Sequence, residues 1–486
     1  MIWMLLACSF QIPTYDRCES SADCQSAFGT GYTCGSDGYC SLFEPQDRCQ
    51  LTFPENVYEN WDDYSDAYVL GTLFNHKTDK VNLVASTLAI EESRDLPIGG
   101  DKELVLIHCN YAAQEENGDG LSSNDAVQLL SDHLSNEIGV KAVVGPAGSE
   151  ASSVAFNTAD DLLLISPSAT SMTLSTIDGE QKTDDEPGRF WRTVASDSIQ
   201  ARVLAKLVMI GGFDNIGLHY ENSVYGADFI ALMEEEFASN SISSERYPYN
   251  IGDGTTADHQ ARFLADANHE AVVVISSNIL DLRRFVDFVA DNISQFDQKT
   301  IFFADGAADA ALLQSTVNLQ GSEISILGTR PPVLSGALFN SFEALFRLQA
   351  NQMGWNGLEV QDDVYSAYTY DATWMALYGF AWSHFQEDTM NYQSISRGLR
   401  KLSGTSSDIV NLDGSGWATL LSKFEQGEEI NIRGTSGELD YDLSTEELNS
   451  NVEVWSLGAG YDCFFHELTC DVTLDCESPE DPPVCQ

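Results

Sequence analysis

The stretch AVVGPAGSEASS, Ala142 to Ser153, runs as a buried strand, breaks at Gly145-Pro146, and then presents Gly148, Ser149, Ser152 and Ser153 in quick succession. Proline cannot donate to a sheet ladder and glycine turns freely, so the pair reads as a strand end. A second break of the same kind comes at LLLISPSATS, Leu162 to Ser171, where an apolar run stops at Ser166-Pro167 and gives way to hydroxyls. Two strand ends of like chemistry are expected to face one site.

On either side of this stretch, short β runs alternate with helical periods. AYVLGTLFN, KELVLIHCN and VKAVVGP read as strands. Leu83 to Ser93 and Asp125 to Ile138 repeat their apolar residues at helical spacing. The alternation returns in NIGLHY, AVVVIS and TIFFAD, separated by the helical stretches Gly226 to Ser239, Ala257 to Ala267 and Leu280 to Ile293. This grammar predicts an α/β protein of two doubly wound, Rossmann-like units. Ligands bind such sheets beyond the carboxyl ends of the strands, where the opening stretch lies.

Length and composition agree. A chain of 486 residues, 43% hydrophobic, is long enough for about two to three globular domains. With 75 acidic against 24 basic residues the net charge is −51, a surface that repels nucleic acid and anionic lipid heads. The acidic residues are spread along the chain, which reads as a solvated surface rather than a cation store. ENWDDYSDAY, Glu59 to Tyr68, is acidic but does not have the spacing of a calcium loop.

The cysteines cluster at the two ends. Cys18, Cys24, Cys34, Cys40 and Cys49 crowd the N-terminal region, and Cys463, Cys470, Cys476 and Cys485 crowd the tail. No C-x-x-C pair and no spaced histidine pair accompanies them, so disulfides in an oxidising compartment are expected and a metal site is not. The tail count is even, whereas the N-terminal set needs one further partner. Cys109 is the only cysteine left once Cys8 is set aside, which predicts a Cys49–Cys109 bridge. Cys8 closes the apolar opening MIWMLLACS, which resembles the lipobox of bacterial lipoproteins, where the cysteine carries the lipid. No basic residue precedes it, so either the true start lies upstream or the segment is a core strand. No other stretch approaches the about 18 apolar residues of a membrane span.

Catalytic constellations are absent from the pattern. There is no H-E-x-x-H and no G-x-S-x-G, and DGSGW at Asp413 to Trp417 lacks a strand-to-helix context. His108 and Cys109 are neighbours on a strand and point to opposite faces. The reading is therefore not an enzyme, and without a cofactor.

Several blocks now stand in a recognisable order: NLVASTLAIEESRDLPIGG, VVGPAGSEAS, LLLISPSATSMTLS, RFWRTVASDSIQA, IGLHYENSVYGADF, VYSAYTYDATWMALYGFAW and RGTSGELDYDL. Over about Ala67 to Gly460 the chain resembles the type I periplasmic solute-binding proteins, in the leucine/isoleucine/valine-binding (ABC transporter substrate-binding) branch. The resemblance implies two lobes joined by a three-crossing hinge. Residues 66–196 and 335–434 would form lobe 1, and 197–334 with 435–460 lobe 2. A signal remnant at 1–8, a cysteine-rich module at 9–50 and a cysteine-rich tail at 461–486 would flank them.

The resemblance also implies roles. Ser149 matches a serine that holds a ligand α-carboxylate, with Ser168 adding backbone contacts and Thr170 a second hydroxyl. Asp305 matches the acid that pairs with an α-ammonium, and Tyr225 a tyrosine reaching in from the second lobe. Plainer roles stay open beside these: Ser149 or Asp305 as helix caps, Tyr225 as core. The chain departs from the family in the short loop LFNHKTDKV, with His76 and Lys77, and in SSNILD, where Asn278 stands in place of an aromatic lid and suggests a more polar ligand. The expected protein is an exported solute-binding lipoprotein of a Gram-negative-type envelope, held to the outer membrane by its lipid alone. It would close over an amino-acid-like solute for an ABC permease or a sensor. The alternative is a surface interaction protein whose cleft is vestigial.

Overall fold

The computed structural model describes residues 17–98, 102–113, 119–332, 335–404, 408–458, 460–471 and 473–478. The proposed lipidation site Cys8, with its signal segment, and the tail cysteine Cys485 lie outside the described residues.

The first sheet contains β1 (Leu51–Phe53), β2 (Tyr68–Phe74), β3 (Leu104–Asn110), β4 (Ala142–Val144), β5 (Leu163–Ser166) and β6 (Phe190–Arg192), in the order β1-β3-β2-β4-β5-β6. Only β1 runs antiparallel to its neighbour. All seven residues of β2 are buried, as a parallel strand covered by helices on both faces requires. Alternate residues feed two cores. Leu70, Leu106, Val144 and Ile165 meet the helices α1 (Lys80–Ser93) and α5 (Ser366–Gln386), while Val69, Val105, Val143 and Leu164 meet the opposite layer, which includes α2 (Ser149–Thr158).

The second sheet contains β7 (Asn215–Glu221), β8 (Ser243–Tyr249), β9 (Ala271–Ile275), β10 (Thr300–Phe303), β11 (Ser325–Arg330), β12 (Val452–Leu457), β13 (Phe464–Cys470) and β14 (Cys476–Glu477). Its order is β8-β7-β9-β10-β11-β12-β13-β14, parallel as far as β11 and antiparallel beyond. Helices α3 (Asp197–Ile210) and α4 (Val224–Ser239) cover one face. The chain passes between the lobes between Arg192 and Asp197, between Arg330 and Ala337, and between Leu448 and Val452. This is the type I periplasmic binding protein fold.

Three placements differ from the sequence reading. Residues 435–448 were expected in lobe 2, but Leu439, Tyr441 and Leu448 complete the core of the first lobe. Glu446 and Glu447 are held there by Arg400 and Arg192. The N-terminal segment does not stand apart either. Phe43, Cys49 and Trp61 join the lobe 1 core, Arg48 grips Asp119 through two bonds of 2.6 Å, and β1 extends the sheet. In the tail, β13 and β14 widen the second sheet, and Tyr461 and Phe464 fill its core. A segment too poor in aliphatic residues to build a core finds one to lean on.

The cysteine arithmetic is met. Cys49 and Cys109 are bonded across 60 residues, beside the local bridges Cys18–Cys34, Cys24–Cys40 and Cys470–Cys476. Cys463 is also disulfide-bonded. Among the described residues no helix is long and apolar enough to cross a membrane.

Candidate ligand-binding cleft

The opening stretch ends β4 at a glycine that nothing else can replace. Gly145 has φ +99°, and a Cβ there would sit 2.5 Å from the Leu73 carbonyl oxygen. Three residues later Gly148, not Ser149, caps α2; Ser149 is the first helical residue. The Ser149 hydroxyl instead accepts the Ser171 N–H at 3.2 Å, so it ties the loop after β4 to the loop after β5. Ser166 donates to the Pro146 carbonyl at 2.6 Å, Ser152 to the same carbonyl at 3.1 Å, and Ser168 to Ala147 at 2.9 Å. The hydroxyls that raised the question of a site therefore stitch the two strand ends into one rigid platform.

Arg192, at the end of β6, braces that platform from below. Its guanidinium donates to the carbonyls of Ala169 at 3.1 Å and Ser171 at 3.0 Å, and pairs with Glu447 at 2.9 and 2.8 Å. Thr170 is thereby held buried at the cleft, and its carbonyl accepts the Asp197 N–H at 2.8 Å.

The second lobe supplies charge. Asp305 follows β10, 5% exposed, at a turn so close that a Cβ on Gly306 would lie 2.1 Å from the Ser276 carbonyl. Its carboxylate accepts the Tyr225 hydroxyl at 2.6 Å on one oxygen and the Tyr365 hydroxyl on the other. Tyr225 belongs to α4 in lobe 2, whereas Tyr365 caps α5 in lobe 1. Burial and the neighbouring Asp305 raise both phenols well above their ordinary range. A second link crosses the cleft where Asp228 of α4 accepts from the Ser171 hydroxyl and, at 3.0 Å, from the Thr173 N–H.

Sequence reasoning missed Asp228, Asp197 and Tyr365 in this cluster. Asp197 begins α3, is fully buried, and neither of its carboxylate oxygens makes a hydrogen bond. Burial, with Asp305 beside it, pushes its pKa well above the carboxylate range. In the sequence it looks like an ordinary first-turn acid after Ser196. Tyr365 carried no signal beyond its place in an aromatic run.

Other expected positions do different work. Asn278 is the cap of the helix Ile279–Asp291, with its Oδ1 accepting from the N–H groups of Leu280 and Asp281 at 2.9 and 3.3 Å. Its acceptor is thus committed locally, not aimed as a lid. Burial lowers His76 to about 4, which keeps it neutral, and Lys77 is exposed.

Comparison with known proteins agrees with this fold. Residues 83–459 match the family model for the receptor family ligand binding region. Among solved structures, the chain is similar to the branched-chain amino acid transporter substrate binding protein LivJ from Streptococcus pneumoniae in complex with isoleucine. The identity is 17% and the TM-score 0.59, over 85% of this chain and 100% of that one. The leucine binding protein LivK from Thermotoga maritima is 13% identical, with TM-score 0.62, over 84% of this chain and 99% of that one. A solute binding protein of an ABC transporter from R. palustris, in complex with benzoate, is 11% identical, with TM-score 0.58, over 86% and 98%. Among curated protein sequences none matches.

Proposed function

We infer, from the premise that this chain belongs to the receptor family of ligand binding regions, that it binds a small amino-acid-like solute by closing two lobes over it. The observation that carries the reading is the pairing of opposites across the cleft. On one side is the first turn of α2, where the N–H groups of Ser149 and Glu150 have no intrahelical acceptor and suit a carboxylate. On the other is Asp197, a buried carboxylate with two unbonded oxygens, next to Asp305. A zwitterion meets both needs at once. The isoleucine and benzoate held by proteins of this fold each carry a carboxylate, which supports the first half of the match.

Uptake through an ABC permease, or sensing, follows from the same reading, as does export to the cell envelope. The disulfides support an oxidising compartment, and a lipid on Cys8 would supply the anchor. The direct contacts Ser171–Asp228 and Tyr365–Asp305 favour the second reading, a surface protein with a vestigial cleft. Against it stands the cost of sealing Asp197 without a hydrogen-bond partner, about 1–3 kcal/mol for an unsatisfied polar group even when it is protonated.

The test is a thermal-shift screen of amino acids, with native mass spectrometry of freshly purified protein. A ligand at one hundred times its Kd is expected to add about 2.7 kcal/mol of stability. A protein that no amino acid, amide or sugar stabilises would leave the vestigial cleft as the better account.

A further inference from the structure

Past residue 459, where the match to the receptor family ends, the chain forms the hairpin of β13 and β14, closed by Cys470–Cys476. This hairpin reaches the lobe 2 end of each crossing between the lobes. The first crossing lands on α3, a helix with two apolar stripes. Ala201, Leu204, Ala205 and Val208 pack with Phe302 and Ala304, just before Asp305. Ile199 and Val203 pack instead with Val452, Cys470 and Leu474. Lys206 continues that second stripe, and its ammonium donates to the Leu474 carbonyl in the turn of the hairpin.

The third crossing enters lobe 2 at Val452, which pairs with Cys470, and the next residue, Glu453, pairs with Thr469. The second crossing leaves lobe 2 from Arg330 at the end of β11. Arg330 holds one Glu453 oxygen at 3.1 Å, with both side chains buried, and His466 of β13 brings its Nδ1 within 3.9 Å of the other. Gln200 of α3 donates to the Thr329 hydroxyl at 3.0 Å and ties the first landing point to the second. On the lobe 1 side, Thr193 donates to the Tyr368 carbonyl and Tyr441 to the Arg192 carbonyl, each at 2.9 Å. Edge pairing explains β13 against β12. It does not explain why the turn of the hairpin is bonded to the helix whose first residue is Asp197.

We propose that this hairpin is a positioning element for the cleft. It locks the lobe 2 ends of the crossings into one block, so that closure bends the crossing residues, 193–196 and 449–451 among them, and carries Asp197 and Asp305 toward lobe 1 together. α3 shares its core with both β10 and the hairpin, so loosening the hairpin frees α3 to shift against β10, moves Asp197 relative to Asp305 and weakens closure. The crossings are held in this way whatever solute the cleft takes.

Hydrogen exchange of the full chain, followed by mass spectrometry without added ligand, tests this. Cys470→Ser combined with Cys476→Ser is expected to speed amide exchange at least about tenfold at the start of α3 and over 449–454, while β2 and β4 of lobe 1 keep their wild-type rates. The Thr173 N–H, which donates to Asp228 across the cleft at 3.0 Å, is expected to exchange faster with them. Lys206→Met removes the bond to Leu474 and leaves every disulfide in place. It is expected to give the same pattern at about fivefold, and it decides the matter if the double variant does not fold. Faster exchange confined to the hairpin would overturn the proposal, as would an equal rise throughout both lobes, the mark of a bridge that only stabilises. Faster crossings with an unchanged Thr173 amide would break the link to closure and overturn it as well.

Discussion

The two jaws of the cleft are built from different materials. Where β4 and β5 end, lobe 1 presents hydroxyls and backbone, with Ser149, Ser152, Ser166 and Ser168 joining the two strand ends into one platform. Lobe 2 presents carboxylates and a phenol: Asp305, Asp228, Tyr225, and Asp197 at the start of α3. Such a platform costs little to bury, because each of these hydroxyls already has a partner. A charged jaw costs more and is balanced only when a counter-charge arrives or a proton binds. On the proposed function, the first lobe would orient the ligand and the second would carry the electrostatic response to it.

The largest test removes the charge. Asp305→Ala is expected to abolish the ligand-induced rise in melting temperature, a loss of roughly 3 kcal/mol or more of binding, since the cationic end of the ligand is left against Asp197 alone. Calorimetry that returns wild-type affinity would reverse the assignment and make the hydroxyl jaw the selective one. The pH dependence has a fixed sign. Asp197 is raised, so as pH falls it takes up a proton that an ammonium must displace, and affinity should weaken toward acid. A pH-independent Kd would remove Asp197 from the binding step.

A smaller effect belongs to the contact between the jaws. Tyr365→Phe deletes one hydrogen bond to a charged acceptor, about 1.5 to 3 kcal/mol, and should weaken ligand binding while enlarging the solution radius seen by small-angle scattering. An unchanged radius and affinity would mean that closure is carried elsewhere, with Ser171 and Asp228 the next place to look. The smallest expected effect is on the platform. Ser168→Ala should cost about 1 kcal/mol of unliganded stability and leave the ligand shift intact, because its hydroxyl is spent on the Ala147 carbonyl. A matching loss of affinity would show that lobe 1 hydroxyls touch the ligand directly.

Much of this was legible in one dimension. Continuous apolar runs marked the strands because parallel strands are covered on both faces, and 3.6-residue periods marked the helices because each buries one side. Glycine-proline marked the end of β4 because its backbone admits no side chain. Cysteine parity brought in Cys109 because five N-terminal cysteines need a sixth, and Cys49 proved to be its partner. Motif order singled out Ser149, Tyr225 and Asp305, the positions on which the proposed ligand site is built.

Asp197, Tyr365, Asn278 and residues 435–448 were not legible in that way. The identity of an acid says nothing of its burial, and Asp197 looks in sequence like any first-turn aspartate. Tyr365 reaches an acceptor 60 residues away, and Ser171 one 57 away, so neither contact leaves a local pattern. Asn278 had a local role, capping, that competes with any role in the cleft. The sequence by itself determined the elements, their order and the covalent ties, since these depend on backbone preference and on counting. The tertiary structure alone decided which carboxylates share a low-dielectric cleft and which lobe a late hairpin completes. Desolvation and core packing depend on groups that meet only after the chain has folded.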